Sequence, residues 1–164
     1  MDQITRLDLL VSRLCLSHGY NQLQARISRL VSRTGDGPLY LAGALLLAWL
    51  DGERGANFLL SGLGVFALEL PLYLLLKNYI KRERPSGLPV FIRPSDRYSL
   101  PSGHTAAAFV MASLVAIHYP AMAPLAFIWA AFIGASRLLL GVHFLADLIA
   151  GALLGSGCAL LVLL

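Results

Sequence analysis

Charged residues are scarce in this sequence. Only 13% of its 164 residues are Asp, Glu, Lys or Arg, roughly half the share of a soluble domain, and 57% are hydrophobic. This balance excludes an ordinary soluble domain and predicts a single domain embedded in a lipid bilayer. Cysteine is scarce too. Cys15 and Cys158 lie far apart in segments of different character, which excludes a disulfide framework or a cysteine metal site.

Repeats and low-complexity stretches are absent, and so is an uninterrupted hydrophobic leader. Asp2, Arg6, Asp8 and Arg13 interrupt the first residues, so we expect no cleavable signal peptide. Apolar residues recur instead every three or four positions over 4–16 and 23–31, a pattern typical of amphipathic helices. Their charge density predicts that they lie at the bilayer surface, pack against a helix bundle, or do both.

Five apolar segments follow, at 39–50, 56–79, 105–117, 125–140 and 144–164. They predict an all-α integral membrane helical bundle of about five transmembrane helices. We therefore divide the chain into an amphipathic, interfacial N-terminal segment, 1–36, and a membrane-embedded domain, 37–164. Glu69 lies inside the second apolar segment. A carboxylate at that depth is costly, so we expect a structural hydrogen bond between helices in preference to a catalytic role.

Consecutive spans alternate in direction, so polar residues distant in sequence meet at one membrane face. The end of the second span, the start of the third, the end of the fourth and the start of the fifth share that face. This layer holds three cations, a helix start and two histidines: Lys77, Arg84, Arg137, Ser102, Gly103, His104 and His143. A helix N-terminus with guanidinium and ammonium groups around it suits a phosphoryl group.

Asp147 follows His143 by four residues, or one helical turn, so its carboxylate can orient the imidazole and leave the second ring nitrogen free to react. No Asp, Glu and His residues have the spacing of a metal site, and we expect no metal and no cofactor. Four further cations are explained at least as well by interfacial snorkelling as by ligand binding: Lys81, Arg82, Arg93 and Arg97.

Three motifs in this order resemble the signature of the type 2 phosphatidic acid phosphatase family, Lys-x6-Arg-Pro, Pro-Ser-Gly-His and Ser-Arg-x5-His-x3-Asp. They stand here, without substitution, as Lys77 to Arg84-Pro85, Pro101 to His104, and Ser136-Arg137 to His143 and Asp147. The resemblance implies that His143 is a nucleophile oriented by Asp147 and forms a phosphohistidine, and that His104 protonates the leaving oxygen and later activates water. It also implies a metal-free reaction whose phosphoryl oxygens are held by Lys77, Arg84, Ser102, Gly103 and Arg137.

The function predicted from these residues is hydrolysis of a terminal phosphate from a lipid phosphate or lipid diphosphate. The resemblance offers undecaprenyl diphosphate, phosphatidic acid and phosphatidylglycerol phosphate as substrates, and the partners are the bilayer and the lipid, with no nucleic acid. Two alternatives remain. A lipid phosphotransferase would use the same phosphohistidine with another acceptor, whereas a non-enzymatic membrane component would leave the two histidines unexplained.

We expect the protein in the bacterial cytoplasmic membrane, but two arguments about its orientation conflict. Many bacterial members of the family have six spans, and here arginine-bearing amphipathic segments stand in place of the first. Of thirteen Lys and Arg residues only Arg54 lies in a loop of the opposite face, and five belong to the N-terminal segment. This charge bias favours a cytoplasmic site, whereas the resemblance favours an extracytoplasmic one.

Overall fold

The computed structural model describes residues 3–164, which form seven α-helices and one short 3₁₀ turn, Pro120–Met122. Asp2, one of the residues that interrupt a leader, lies outside the described residues. The helices are α1 (Gln3–Leu16), α2 (Asn21–Arg33), α3 (Gly37–Leu50), α4 (Gly52–Ile80), α5 (Gly103–His118), α6 (Ala123–Leu139) and α7 (Leu145–Leu163).

The predicted all-α membrane fold is confirmed, since α3 to α7 coincide with the five apolar segments. Three stretches are long and apolar enough to cross a membrane, Gly52–Ile80, Pro120–Leu139 and Leu145–Leu163. Gly37–Leu50 and Gly103–His118 are apolar but shorter. The protein is an integral membrane protein.

Helix α5 lies at the centre of the bundle and packs against α4, α6 and α7. Small residues bring α5 and α7 into close contact. A Cβ atom added at Gly155 would lie 2.1 Å from the Ala106 carbonyl oxygen, and one at Gly151 would lie 2.6 Å from that of Ser102. Such close approach is how membrane helices associate where lipid offers no hydrophobic driving force. It also fixes the start of α5 against the start of α7.

Helices α1 and α2 lie against the bundle, α2 mainly along α6 and α1 against α6 and α7. Their polar side chains, Asp8, Ser12, Ser28 and Ser32, are buried, while apolar ones such as Leu7 and Leu30 are exposed. This arrangement is the reverse of a soluble helix and places the apolar faces where lipid would meet them. The packing of both segments against the bundle is thus confirmed, and their position at the bilayer surface remains a prediction. The division into two domains remains a prediction, although α2 ends at Arg33 and α3 begins at Gly37.

The segment between α4 and α5 crosses the bundle end at which α4 and α6 finish and α5 and α7 begin. It is anchored on the corner between α6 and α7, where the Phe91 N–H donates to the Leu140 carbonyl at 3.1 Å. At that corner Gly141 has a φ of 74°, and a Cβ atom there would lie 2.1 Å from the Pro89 carbonyl oxygen. Only glycine fits this conformation and this contact. The anchored segment brings Asp96 over the bundle end.

Candidate active site

His143 lies in the corner just before α7, and Asp147 lies in the first turn of that helix. His143 Nδ1 is 3.6 Å from Asp147 Oδ2, and both side chains are almost wholly buried. Asp147 Oδ2 also accepts a hydrogen bond from the Phe144 N–H at 2.8 Å, which caps the helix. The carboxylate therefore faces one imidazole nitrogen, although it lies just beyond hydrogen-bond distance from it.

The second ring nitrogen of His143, Nε2, faces a cation. Arg84 Nη1 lies 3.4 Å from it. A guanidinium has no acceptor atom, so this contact assigns the imidazole proton to Nδ1 and the free lone pair to Nε2. The pKa of His143 is lowered to about 4, mainly by burial. The charges of Arg84 and Arg137 contribute to this shift, and the Asp147 carboxylate opposes it. His143 is therefore neutral near pH 7, the form in which an imidazole is a nucleophile.

The other oxygen of Asp147 is held by Arg82. Arg82 Nη1 lies 2.8 Å from Asp147 Oδ1, and its Nη2 lies 2.6 Å from Asp8 Oδ2 on α1. The guanidinium stacks over the Phe144 ring at 4.5 Å, and Asp8 Oδ1 accepts from the Ala146 N–H at 3.1 Å. Arg82 is thus neither an interfacial anchor nor a ligand-binding cation. It is an internal cation between two buried carboxylates.

Lys77 and Arg84 share a counter-ion, Asp96, which sequence analysis missed. Lys77 Nζ lies 2.8 Å from Asp96 Oδ2 and Arg84 Nη2 lies 2.6 Å from Asp96 Oδ1. The Tyr73 hydroxyl donates to Asp96 Oδ2 at 2.9 Å and accepts from Lys77 at 2.7 Å. Burial opposes the ionised form of Asp96, but the hydrogen bonds from Lys77, Tyr73 and Arg84 lower the pKa of its carboxyl below the ordinary value. Asp96 therefore holds the two cations side by side and offsets part of their positive charge.

The start of α5 is tied to the start of α7. The Ser102 N–H donates to the Asp147 carbonyl at 3.0 Å, and the buried Ser102 hydroxyl accepts from that of Thr105 at 2.8 Å. Gly103 lies against the Tyr73 ring, where an added Cβ would lie 2.9 Å from Cζ. A larger residue at 103 would therefore displace Tyr73 and, with it, its hydrogen bonds to Lys77 and Asp96.

His104 and Arg137 lie on the side of the layer nearest α2. His104 Nε2 is 3.0 Å from Asp36 Oδ1, in the turn before α3. Arg137 is 5% exposed, its Nη1 donates to the Ser32 hydroxyl at 2.7 Å, and its buried Nε has no hydrogen-bond partner among residues 3–164. Both side chains line a cavity of about 170 Å³, which we call the basic cavity. Its polar lining is Arg29, Ser32, Arg33, Asp36, His104 and Arg137.

A larger, apolar groove of about 500 Å³ runs between α3, α4 and α5. It begins beside His104 and Tyr73 and reaches Phe58 and Leu114 deep in the bundle. Glu69, which is 2% exposed, lies in its wall. The hydrogen bond between helices that the sequence predicts for Glu69 is not found within the described part of the chain, and its carboxyl borders the groove instead.

The structure brings all eight predicted residues into one layer at one end of the bundle. The positive charge that faces this layer comes from Lys77, Arg84 and Arg137. In residues 3–164 no group of three or more His, Cys, Asp or Glu side chains is arranged to hold a metal ion. The individual roles of the eight residues remain predictions.

Known proteins share this architecture. Two solved structures superpose on nearly the whole chain, each at 25% sequence identity. The phosphatidylglycerolphosphate phosphatase of Bacillus subtilis, a transmembrane PAP2 type enzyme, gives a TM-score of 0.79 over 99% of this chain and 85% of its own. Aquifex aeolicus LpxE gives a TM-score of 0.82 over 96% of this chain and 94% of its own.

Sequence comparison agrees with the structural one. Decaprenylphosphoryl-5-phosphoribose phosphatase of Mycobacterium tuberculosis is 31% identical over 126 residues, which are 72% of this chain. The match spans 64% of the length of that relative. The family model of the PAP2 superfamily matches residues 58–164, a segment that contains all three motifs. The chain belongs to the PAP2 superfamily.

Proposed function

We propose that this protein is a membrane phosphatase that removes the terminal phosphate from a lipid phosphate or lipid diphosphate through a phosphohistidine at His143. One observation carries the proposal. A buried imidazole lies between the Asp147 carboxylate and the Arg84 guanidinium, with its Nε2 on the side of the cation. An anionic phosphoryl group drawn to Arg84 would meet that nitrogen directly.

In the first step His143 Nε2 attacks phosphorus, the N–P bond forms, and the bond from phosphorus to the lipid oxygen breaks. His104 gives its proton to that oxygen, and Asp36, 3.0 Å from His104 Nε2, stabilises the protonated imidazole beforehand. Charge on the phosphoryl oxygens is offset by the Lys77, Arg84 and Arg137 cations, with Ser102 and Gly103 at the helix start. Asp147, held by Arg82, stabilises the positive charge that develops on His143.

In the second step water attacks the phosphorus, His104 takes a proton from it, and the N–P bond breaks. Inorganic phosphate leaves and both histidines return to their starting protonation states. The apolar groove begins at His104, so it suits the hydrocarbon chain of the leaving lipid. We place the enzyme in the bacterial cytoplasmic membrane, with undecaprenyl diphosphate, phosphatidic acid and phosphatidylglycerol phosphate as candidate substrates.

A phosphate-release assay over purified lipid phosphates tests the proposal. We expect wild-type protein to release inorganic phosphate, His143→Ala to release none, and His118→Gln, at the far end of α5, to match the wild type within about twofold. A chelator should leave the rate unchanged. Full activity in His143→Ala, or loss with chelator, would contradict the mechanism. Transfer of the phosphate to an acceptor lipid, in place of its release, would favour a phosphotransferase.

A further inference from the structure

We propose that the basic cavity is a second phosphate-binding site, which holds an anionic group of the leaving part of the substrate. The substrate class is then a lipid with two phosphate groups, joined directly as a diphosphate or through a short linker, in preference to a lipid monophosphate. This inference rests on the proposed function and adds to it the chemistry of the leaving group.

The positive charge of the cavity favours binding of an anion. Three guanidinium groups line it, from Arg29, Arg33 and Arg137, against one carboxylate, that of Asp36. Asp36 is already paired with His104 at 3.0 Å. The cavity therefore carries an excess of positive charge, and its volume of about 170 Å³ exceeds that of a phosphate group. Arginine is the side chain best suited to hold phosphate oxygens.

Two donors in this cluster have no acceptor in the described part of the chain. The Nε groups of Arg29 and Arg137 are buried and lack a hydrogen-bond partner within residues 3–164. Arg137 is 5% exposed, so water does not replace the missing acceptor at its surface. Buried charged donors without acceptors are destabilising, and native proteins retain them where a ligand supplies the acceptor. A second phosphate would supply the acceptor for Arg29, and Arg137 would lie between that phosphate and the transferred group.

The cavity lies beside the group that is transferred. Of the cations proposed to hold that group only Arg137 lines the cavity, whereas Lys77 and Arg84 do not, and neither does His143. Asp36 and His104, in contrast, line both the basic cavity and the apolar groove. His104 is the proposed donor of a proton to the leaving oxygen, so the two spaces that meet at His104 lie on the leaving side. A chain in the groove and a phosphate in the basic cavity would then belong to one leaving group.

Two of the three arginines come from α2, which precedes the segment 58–164 matched by the family model. The family match therefore does not account for Arg29 and Arg33. Both face the site because α2 packs along α6, where Ser32 of α2 binds Arg137 at 2.7 Å. The N-terminal helices thus contribute to substrate choice as well as to membrane contact.

The test compares a prenyl diphosphate with the prenyl monophosphate of the same chain length, using the full chain in detergent. Arg29→Gln should lower the ratio of kcat/KM for diphosphate over monophosphate by about tenfold or more, the effect of one lost charge-assisted contact. Arg29→Lys should retain part of the ratio. Arg26→Gln removes the same charge from an exposed position of the same helix, away from the cavity, and should leave the ratio unchanged.

A second pair of substrates is phosphatidylglycerol phosphate, whose two phosphates are joined through a linker, and phosphatidic acid, which has one. Comparing the kcat/KM ratios of the two pairs shows whether the enzyme prefers phosphates that are joined directly or through a linker. A ratio that stays constant for both pairs in Arg29→Gln and in Arg29→Gln/Arg33→Gln, or that falls equally in Arg26→Gln, overturns the proposal. Because Arg33 is exposed, Arg33→Gln provides a variant that should fold even where Arg29→Gln does not. In Arg33→Gln, pyrophosphate should lose part of its advantage over inorganic phosphate as a competitive inhibitor, measured as the ratio of the two inhibition constants. An unchanged ratio counts against the site. Failure of the proposed function looks different, since wild-type protein would then release phosphate from neither substrate.

Discussion

Half-buried Arg82 and fully buried Asp147 form an ion pair, with 2.8 Å between Nη1 and Oδ1. The same guanidinium holds Asp8 of α1 at 2.6 Å from Nη2. The carboxylate that faces His143 is therefore connected, through one arginine, to the first helix of the chain. Helix α1 thus helps to fix the geometry of the site from outside the bundle.

Replacing Arg82 with Gln should reduce both stability and turnover. Asp8 and Asp147 would remain buried without their shared cation, which is expected to lower the free energy of unfolding by about 3 kcal/mol. Misplacement of Asp147 should slow phosphate release by about a hundredfold. Thermal unfolding in detergent and kcat on a lipid phosphate measure the two effects.

Two variants control this experiment. Arg97→Gln removes a cation from an exposed position of the segment between α4 and α5 and should change neither quantity. Adding Asp8→Asn to Arg82→Gln should restore part of the stability because it removes one unpaired carboxylate. Wild-type stability in Arg82→Gln alone would show that the ion pair contributes nothing.

Helix order explains why the motif residues could be predicted to meet. Consecutive spans alternate in direction, so Lys77 at the end of α4 and His143 before α7 fall at the same face whatever the details of packing. The spacing of Asp147 after His143 likewise predicts that the carboxylate faces the imidazole. These relationships depend only on helical periodicity and on the number of spans.

The partners of the motif residues could not be predicted in this way. Asp8, Asp36 and Asp96 lie in an amphipathic helix, a turn and an irregular segment, and each contacts a residue far away in sequence. These contacts depend on how α1 and the segment 81–102 lie across the bundle, which no local pattern reports. Glu69 shows the converse. Because a carboxylate at membrane depth is costly, the sequence predicts a protein partner for it. The structure instead places it beside the apolar groove, which has room for a ligand.

Asp96→Asn should strengthen product inhibition. The Asp96 carboxylate offsets part of the positive charge of Lys77 and Arg84 and competes with phosphate for both cations. Without that charge, the inhibition constant of inorganic phosphate should fall by roughly threefold to tenfold. Because Arg84 loses an anchor, kcat should fall as well. Glu83→Gln removes one carboxylate from an exposed position nearby and serves as the control. Weaker phosphate inhibition in Asp96→Asn would show that Asp96 does not compete.

His143 should titrate far below an ordinary histidine. Burial, with Arg84 and Arg137, lowers its pKa from 6.5 to about 4, so the imidazole stays neutral through the range between these values. Because the unfolded chain takes up this proton near pH 6.5 and the folded chain does not, stability falls as the pH is lowered from 6.5 towards 4. NMR titration of labelled histidines, with the signal assigned by its loss in His143→Asn, measures the midpoint. A midpoint at or above 6.5 would contradict the neutral nucleophile, and Arg84→Gln should raise it.

The orientation in the membrane can be predicted more firmly with the structure. Arg29 and Arg33 line the basic cavity, so only Arg6, Arg13 and Arg26 of the N-terminal arginines remain as independent topology signals. We therefore expect the extracytoplasmic placement that the family resemblance implies. Helix α7 runs from the site to the opposite face, so green fluorescent protein fused after Leu164 should fluoresce and alkaline phosphatase fused there should be inactive. The reverse pattern would place the site in the cytoplasm.

The covalent histidine is the central claim, and trapping it is the most direct test. Wild-type protein mixed with a lipid diphosphate labelled in its terminal phosphate, then quenched within one turnover, should carry label that is labile to acid and stable to alkali. Mass spectrometry should place that label on the peptide containing His143, and His143→Ala should carry none. Acid-stable label on Ser102, or normal phosphate release by His143→Ala, would contradict the account.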